Sequence, residues 1–378
     1  MIKINIVGDF FISNKINQNV IVGKDIIKVF NDSNFNIINL ESPITKGVKE
    51  HAIIKTGPHL NGSSNTFSVL KRLNTHLVTL ANNHIMDYGA EGLKDTLLAC
   101  QNHSINFIGA GMSLKEAQRP FIIEKDGMKI TTLNFAENEW ASAESNKPGA
   151  NPLDIIDNVN QIKEAKVKSD FVIVVIHGGH EYYHLPSPRM VKQYRFYAEN
   201  GAAVIVGHHP HCIGGYEVHQ GVPIFYSLGN FLFIMPSKFE AWYTGLILHI
   251  QVNENKKMNF ELIPVKQSKT DHSLRMCIGL EKEKIVKEVE KNSSLISNNI
   301  LLKNEWDKLL YEKKLQYLGV YSPINFFTNK YIKRALRKFR LDTFFLKKHH
   351  YKQILNNIRC EAHFDVTKDI IKKFLEEK

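Results

Sequence analysis

Short apolar runs alternate with amphipathic segments along the first two thirds of the chain. Continuous runs of apolar, mostly β-branched residues are typical of strands buried on both faces of a sheet. They predict strands at 2–7, 36–40, 76–80, 105–108, 171–176 and 203–206. Apolar residues at helical spacing predict helices at 25–31, 65–73, 89–103, 154–168 and 190–200. This order predicts a parallel βα core, followed by antiparallel strands at 222–227, 246–252 and 260–265.

Four histidines follow directly after two of these apolar runs. They are His177, His208, His209 and His211. In open α/β sheets, ligands bind beyond the carboxyl ends of the strands, so these side chains stand where chemistry usually occurs. A neutral imidazole is the commonest protein metal ligand. The alternative is a set of loop histidines whose hydrogen bonds are satisfied locally.

Five apolar runs in all end in side chains with metal-binding or acid–base chemistry. These side chains are Asp9, Glu41, Asn83 with His84, His177, and the group from His208 to His211. One such coincidence carries little weight, because polar residues belong at strand ends. Five of them, of types Asp, Glu, Asn and His, match the ligand set of a two-metal site. Such a site clamps the attacking and leaving oxygens of a phosphoryl group.

The order of these motifs closely resembles the bacterial CapA family, which is named for capsule and poly-γ-glutamate biosynthesis. The motifs are Gly8-Asp9, Asn39-Leu40-Glu41-Ser42-Pro43, Ala81-Asn82-Asn83-His84, His177-Gly178-Gly179-His180-Glu181-Tyr182, Gly207-His208-His209-Pro210-His211 and Tyr226-Ser227-Leu228-Gly229-Asn230-Phe231. The family belongs to the calcineurin-like metallophosphoesterase superfamily, and the resemblance covers about residues 2–265. It implies an α/β fold, a four-layer α-β-β-α metallophosphoesterase-like sandwich at 1–268 with a helical, basic C-terminal extension at 269–378.

Carried over residue by residue, the resemblance implies two divalent metal ions (Mn, Fe or Zn). The implied ligands are Asp9 and His211 for one metal, Asn83, His177 and His209 for the other, and Glu41 as the bridge. His84 resembles the superfamily's proton donor to the leaving group, a role worth about 10²–10⁴-fold in rate. Asp87 either orients that imidazole or caps the following helix.

This chain departs from the superfamily pattern at two places. The histidine expected two residues after the first aspartate is replaced by Phe11. Either His208 or His209 could be the ligand, and His209 is favoured because it preserves a His-X-His spacing. The resemblance assigns contacts with the substrate or with the ligands to His180, Glu181, His208 and Asn230.

Composition and cysteine placement indicate an ordinary globular protein of a reducing compartment. Of 378 residues, 43% are apolar and 23% charged. The four cysteines are far apart and form no CxxC pair, which argues against a disulfide framework. No apolar run approaches the roughly 18 residues that span a bilayer. Members of the resembled family usually carry a membrane anchor before their first motif, whereas this chain begins at that motif, so a cytoplasmic location, peripheral to the membrane at most, is expected.

The net charge of +11 is concentrated in the tail, where residues 281–378 carry 22 Lys and Arg against 13 Asp and Glu. Within 328–353, basic and aromatic residues interleave around the single acid Asp342. This segment could pack its aromatic face on the protein, lie on an anionic membrane surface, or bind nucleic acid, which is disfavoured because no nucleic-acid motif accompanies the charge. Deleting residues 328–378 and measuring sedimentation with anionic vesicles tests the membrane interpretation, which requires that binding be lost.

Three functions follow from these features. The first is a metal-dependent phosphoester hydrolase of capsule or cell-surface polymer metabolism, acting on a phosphorylated or anionic polymer-related substrate. The second is a component of the synthesis or release of a poly-γ-glutamate-like polymer. The third is a non-enzymatic capsule assembly subunit that docks on a membrane through its tail.

Overall fold

The computed structural model describes residues 1–16, 20–46, 49–320 and 329–339, together with a few single positions between 351 and 375. The strands are β1 (Ile2–Ile12), β2 (Phe35–Leu40), β3 (Leu77–Thr79), β4 (Asn106–Ile108), β5 (Ala110–Gly111), β6 (Phe121–Lys125), β7 (Met128–Ala136), β8 (Gly149–Ala150), β9 (Phe171–His177), β10 (Val204–His208), β11 (Tyr216–His219), β12 (Val222–Phe225), β13 (Asn230–Ile234), β14 (Thr244–Val252), β15 (Met258–Gln267) and β16 (Leu274–Met276). The helices are α1 (Lys24–Asn31), α2 (Thr66–Arg72), α3 (Gly89–Asn102), α4 (Leu114–Ala117), α5 (Ile155–Lys168), α6 (Pro188–Glu199), α7 (Gly279–Ile296), α8 (Asn299–Val320) and α9 (Lys330–Lys338).

Two large sheets carry most of the strands. The first has the order β16-β15-β14-β1-β2-β3-β4, and β13 pairs in addition with β1. The second has the order β11-β12-β10-β9-β7-β6, and β5 and β8 form a small separate pair. The neighbours from β1 to β4 are parallel, and β9 is parallel to both β7 and β10. The predicted parallel core is therefore present in both sheets.

The two sheets share one apolar core, which contains Ile4 and Ile6 of β1 together with Ile173 and Val175 of β9. All four side chains are inaccessible to solvent. Because successive side chains of a strand point to opposite faces, the intervening residues of β9 belong to a different core. Each face of β9 therefore packs in an apolar core, which explains why the sequence of this strand is continuously apolar.

Helices cover the outer face of each sheet. Phe30 of α1 packs in a core with Val7 of β1. On the other side, Ile162 of α5 and Tyr194 of α6 pack in a core with Val174 of β9. The order of layers is helix, sheet, sheet, helix, so the predicted four-layer α-β-β-α sandwich is confirmed.

The strand predicted at 222–227 pairs differently from the antiparallel arrangement expected. β12 is antiparallel to β11 but parallel to β10, because the chain forms the β11–β12 hairpin and then inserts β12 between β11 and β10. A hairpin has a local turn signal in the sequence, whereas a parallel neighbour has none. The prediction is therefore wrong for the pairing with β10.

Strand β13 was not predicted, and it lies parallel to β1 with Asn230 opposite Asp9. This pairing depends on a very close approach at Gly8, where an added Cβ would lie 1.8 Å from the carbonyl oxygen of Gly229. The backbone N–H of Asp9 donates to the same oxygen at 3.0 Å. Gly8 thus allows the segment that carries Asp9 to be held on both sides.

The chain divides into two units, Met1–Leu302 and Lys303–Lys378. β16 and the apolar residues Ile285 and Val289 of α7 belong to the first unit. The domain boundary expected at residue 268 stays a prediction. Half of the basic segment 328–353 lies outside the described residues, and α9 is the main part of it that is described. Among the described helices, none combines the length and apolar character needed to cross a bilayer.

Candidate metal centre

Five ionisable side chains from distant parts of the chain meet in one buried cluster. They are Asp9, Glu41, His177, His209 and His211, and each is at most 5% exposed. Glu41, His177 and His209 each offer a ligand atom within 4.8 Å of the others, and so do Asp9, Glu41 and His211. Glu41 is common to both triads. One carboxylate shared by two triads is an arrangement that could hold a pair of cations.

The residues around Glu41 fit a divalent cation on chemical grounds. Both of its carboxylate oxygens are buried and have no hydrogen-bond partner in the described part of the chain. Burial, followed by the negative charge of Asp9, raises the pKa of Glu41 well above its usual value. A buried carboxylate without a partner is strongly unfavourable. A cation beside these oxygens removes that penalty.

Around His177, several side-chain atoms that could bind a metal lie close together. The Nε2 atom of His177 lies 3.1 Å from Nδ1 of His209, 3.1 Å from Oδ1 of Asn83 and 3.6 Å from Oε1 of Glu41. Burial and the neighbouring charge of His209 lower the pKa of His177 well below its usual value. A neutral imidazole is the form that binds a metal.

Asp9 and His211 form the other side of the cluster. Asp9 Oδ2 lies 3.3 Å from Nδ1 of His211, and Oδ1 accepts a 2.7 Å hydrogen bond from Asn39. Burial acts to raise the pKa of Asp9, but the hydrogen bond and charge of His211 outweigh it, so the pKa lies below its usual value. Asn230 Oδ1 lies 2.9 Å from the same His211 nitrogen, and its amide donates to the Trp242 carbonyl. Asn230 therefore supports His211.

Two residues with a strained backbone direct the loop after β10 towards the cluster of metal-binding side chains. His209 has φ 98° and His211 has φ 55°, in the left-handed region that non-glycine residues seldom adopt. Such conformations cost about 1–3 kcal/mol each and persist where the surroundings enforce them. Here the backbone N–H of His209 donates to Asp9 Oδ2 at 3.2 Å, and the Pro210 carbonyl accepts from the Tyr182 N–H at 2.9 Å.

His208 lies beside this cluster but belongs to neither triad. It is 1% exposed, and its Nδ1 atom is 4.0 Å from Asp9 Oδ1. Neither ring nitrogen has a hydrogen-bond partner among the residues described. Of the two histidines left open by the sequence, the geometry brings His209 into a triad with Glu41.

His84 is held through its Nδ1 atom. That nitrogen lies 2.7 Å from Asp87 Oδ2 and 3.1 Å from the ammonium of Lys55, which also pairs with Asp87. Burial lowers the pKa of His84 despite the opposing effect of Asp87. Helix α3 begins at Gly89, and its N-cap Tyr88 makes no side-chain capping bond. The geometry thus favours the orienting role of Asp87 over the capping role.

Further ionisable residues lie around the cluster. Glu181 is exposed, yet its charge contributes to raising the pKa of Glu41. His180 is half-buried near the charges of Glu137 and Arg189. Glu139, which the sequence did not single out, places Oε1 at 4.0 Å from Nε2 of His209.

Phe11 takes part in an aromatic wall beside His211. Its ring centroid lies 5.1 Å from that of Phe233, while the ring of His211 lies 4.8 Å from Phe233 and 4.6 Å from Trp242. The position that carries a histidine in the superfamily is therefore filled by an apolar side chain packed in this wall. The wall could not be predicted, because Trp242 is far from His211 in the sequence.

A four-layer α-β-β-α sandwich with a buried carboxylate–imidazole cluster beyond its strand ends is a metallophosphoesterase-like fold. The family model described as "Bacterial capsule synthesis protein PGA_cap" matches residues 3–235. The chain belongs to this family, which confirms the resemblance to CapA proteins.

Curated relatives agree with this assignment. The chain is 33% identical over 269 residues to the PGA biosynthesis protein CapA of Bacillus subtilis, covering 70% of each chain. It is 34% identical over 202 residues to the capsule biosynthesis protein CapA of Bacillus anthracis, covering 52% of this chain and 49% of that protein. A probable polyglutamine synthesis accessory protein of Mycobacterium tuberculosis is 30% identical over 208 residues, with 51% and 54% covered.

Proposed function

We propose that this protein is a dinuclear metal-dependent hydrolase of a phosphoester in capsule or cell-surface polymer metabolism. The observation that carries the proposal is the buried Glu41 carboxylate, which has no hydrogen-bond partner among the described residues and is shared by two histidine-containing triads. Two-metal phosphoester hydrolases hold their ions about 3.5–4 Å apart to clamp the attacking and leaving oxygens, and a carboxylate shared by two triads could hold such a pair. The substrate class is a phosphorylated or otherwise anionic compound related to the polymer.

In this proposal, each triad holds one divalent ion. Asp9, His211 and Glu41 would hold the first, and His177, His209 and Glu41 would hold the second with help from Asn83. When bound, the ions supply Lewis-acid polarisation of phosphoryl oxygens and a nucleophile at neutral pH.

The chain's own acid–base group is His84. Its Nδ1 side is occupied by Asp87 and Lys55, so Nε2 is the ring nitrogen left for the reacting group. As the bond from phosphorus to the leaving oxygen breaks, Nε2 gives its proton to that oxygen. Asp87 keeps the imidazole in the required orientation.

The second candidate is participation in making or releasing an amide polymer such as poly-γ-glutamate. Two relatives are named for PGA and polyglutamine synthesis. The candidates differ in product: either phosphate or a glutamyl product is released in proportion to bound metal.

Metal analysis tests the leading proposal. Protein loaded with Mn²⁺ and then desalted should retain about two equivalents of metal, as expected for a two-metal site, and should hydrolyse 4-nitrophenyl phosphate. Treatment with a chelator should abolish hydrolysis, and adding Mn²⁺ back should restore it. Retention of two metals without hydrolysis would favour the polymer reaction, and failure to retain Mn²⁺, Fe²⁺ or Zn²⁺ would contradict the metal site itself.

A further inference from the structure

Lys55 is a buried cation that neither the sequence motifs nor the cluster of metal-binding groups accounts for. Its side chain is 2% exposed, and its ammonium pairs with the carboxylate of Asp87, which is inaccessible to solvent. A buried ammonium is strongly unfavourable unless it is paired and hydrogen-bonded. The same ammonium lies 3.1 Å from Nδ1 of His84. The lysine is therefore placed at the acid–base group rather than at the surface.

Asp87 joins His84 to the segment that carries Lys55. Its Oδ2 atom lies 2.7 Å from Nδ1 of His84 and accepts a 2.6 Å hydrogen bond from the backbone N–H of Leu60. Its backbone carbonyl accepts a further bond from the N–H of Ile53 at 3.2 Å. The segment 53–60 is thus attached to Asp87 at three points, counting the Lys55 ion pair.

We propose that Lys55 is a positioning residue for His84, acting together with Asp87. Nδ1 of His84 can make one in-plane hydrogen bond, which goes to Asp87 Oδ2, so Lys55 acts through the carboxylate: its ammonium pairs with Oδ1 and fixes the orientation of Asp87, which in turn fixes the ring. The outcome is that Nε2 points steadily at the leaving oxygen. This inference rests on the proposed phosphoester hydrolysis. The alternative role for Lys55 is to neutralise Asp87 and nothing more.

The leaving-group dependence of hydrolysis separates the two roles. A proton donor matters most when the leaving oxygen is a strong base, so its loss harms phenyl phosphate more than 4-nitrophenyl phosphate. In the Mn²⁺-loaded protein, Lys55→Met should lower kcat for phenyl phosphate about tenfold more than kcat for 4-nitrophenyl phosphate. The KM values should stay close to those of the wild type. Lys55→Arg keeps the charge and should recover most of the lost rate, and His84→Ala should show the same leaving-group pattern as Lys55→Met.

Equal losses with both substrates, or no loss, would overturn the positioning role. Thermal unfolding shows whether Lys55→Met is folded, and Lys55→Gln, which keeps a hydrogen-bond donor, takes its place if it is not. If the wild type hydrolyses neither substrate, the proposed function fails, and ¹⁵N NMR of the His84 ring decides the inference by itself. The ring-nitrogen shifts should change in the Lys55 variant and return in Lys55→Arg, while unchanged shifts would refute the proposal.

Discussion

Replacing Glu41 by glutamine should make the metal-free protein more stable, by about 1–3 kcal/mol at neutral pH. The native carboxylate is fully buried beside Asp9, and its two oxygens have no hydrogen-bond partner within the described residues. Its pKa is raised by burial and by the charge of Asp9. The folded state therefore binds a proton more tightly than the unfolded state, so stability is lost as pH rises above the ordinary value for Glu. Glutamine removes this loss, and its advantage should grow with pH in urea unfolding.

Glu41→Gln should also abolish the stabilisation of the folded protein by Mn²⁺. Wild-type protein should gain stability with Mn²⁺, because a ligand that binds only the folded state shifts the equilibrium toward it. Glu41→Gln removes the carboxylate shared by both triads. Loss of a side chain that only supports a metal ligand costs up to about 100-fold in metal affinity or activity. Because Glu41 would be a ligand itself, we expect the metal affinity and the hydrolysis rate of Glu41→Gln to fall by more than that. Opposite effects on apo stability and on metal binding identify a residue kept for function.

Glu217→Gln is the matched control for this experiment. Glu217 is also buried, but it accepts hydrogen bonds from Arg195 at 2.9 and 2.6 Å and from the Tyr226 hydroxyl at 2.7 Å. Its replacement leaves Arg195 without its carboxylate and should lower stability with or without Mn²⁺. If Glu41→Gln behaves like this control in the absence of metal, the interpretation of Glu41 as an unpartnered buried charge is wrong.

His84→Ala should lower hydrolysis of aryl phosphates about 10²–10⁴-fold, the usual contribution of a positioned general acid. The imidazole is absent from both triads, so metal content should stay at the wild-type level. His177→Ala should instead lose metal together with activity. The measurements are kcat and metal content on the same preparations.

His103→Ala provides the control for removal of a histidine. This residue follows the last turn of α3, is exposed and stacks on Phe67. Its replacement should leave both rate and metal content unchanged. Full activity of the His84→Ala protein would overturn the assignment of His84 as the proton donor, whatever the metal content.

The pattern of the sequence was sufficient for the parallel strands of the core and for the residue types at the site, whereas the four layers were implied by the resemblance to the CapA family. Burial on both faces of a strand requires a continuous apolar run, so β9 and β10 could be recognised locally. Their carboxyl ends had to carry the functional polar residues, because parallel neighbouring strands bring those ends to one edge. That physical constraint led to Glu41 and His177 without coordinates, whereas Asp9, expected just after a strand at 2–7, lies inside the longer strand β1.

Only the tertiary structure decided which of these groups touch and what supports them. The pairing of β13 beside Asp9 and the shared position of Glu41 between two triads arise from contacts between distant segments. Lys55 comes from a loop with no periodic pattern, and it reaches His84 through its contact with Asp87. The spacing of apolar residues along the chain predicts which face of a helix or strand is buried. The distances between segments that are far apart in the sequence depend on how the whole chain packs. The left-handed backbone of His209 is likewise a product of that packing.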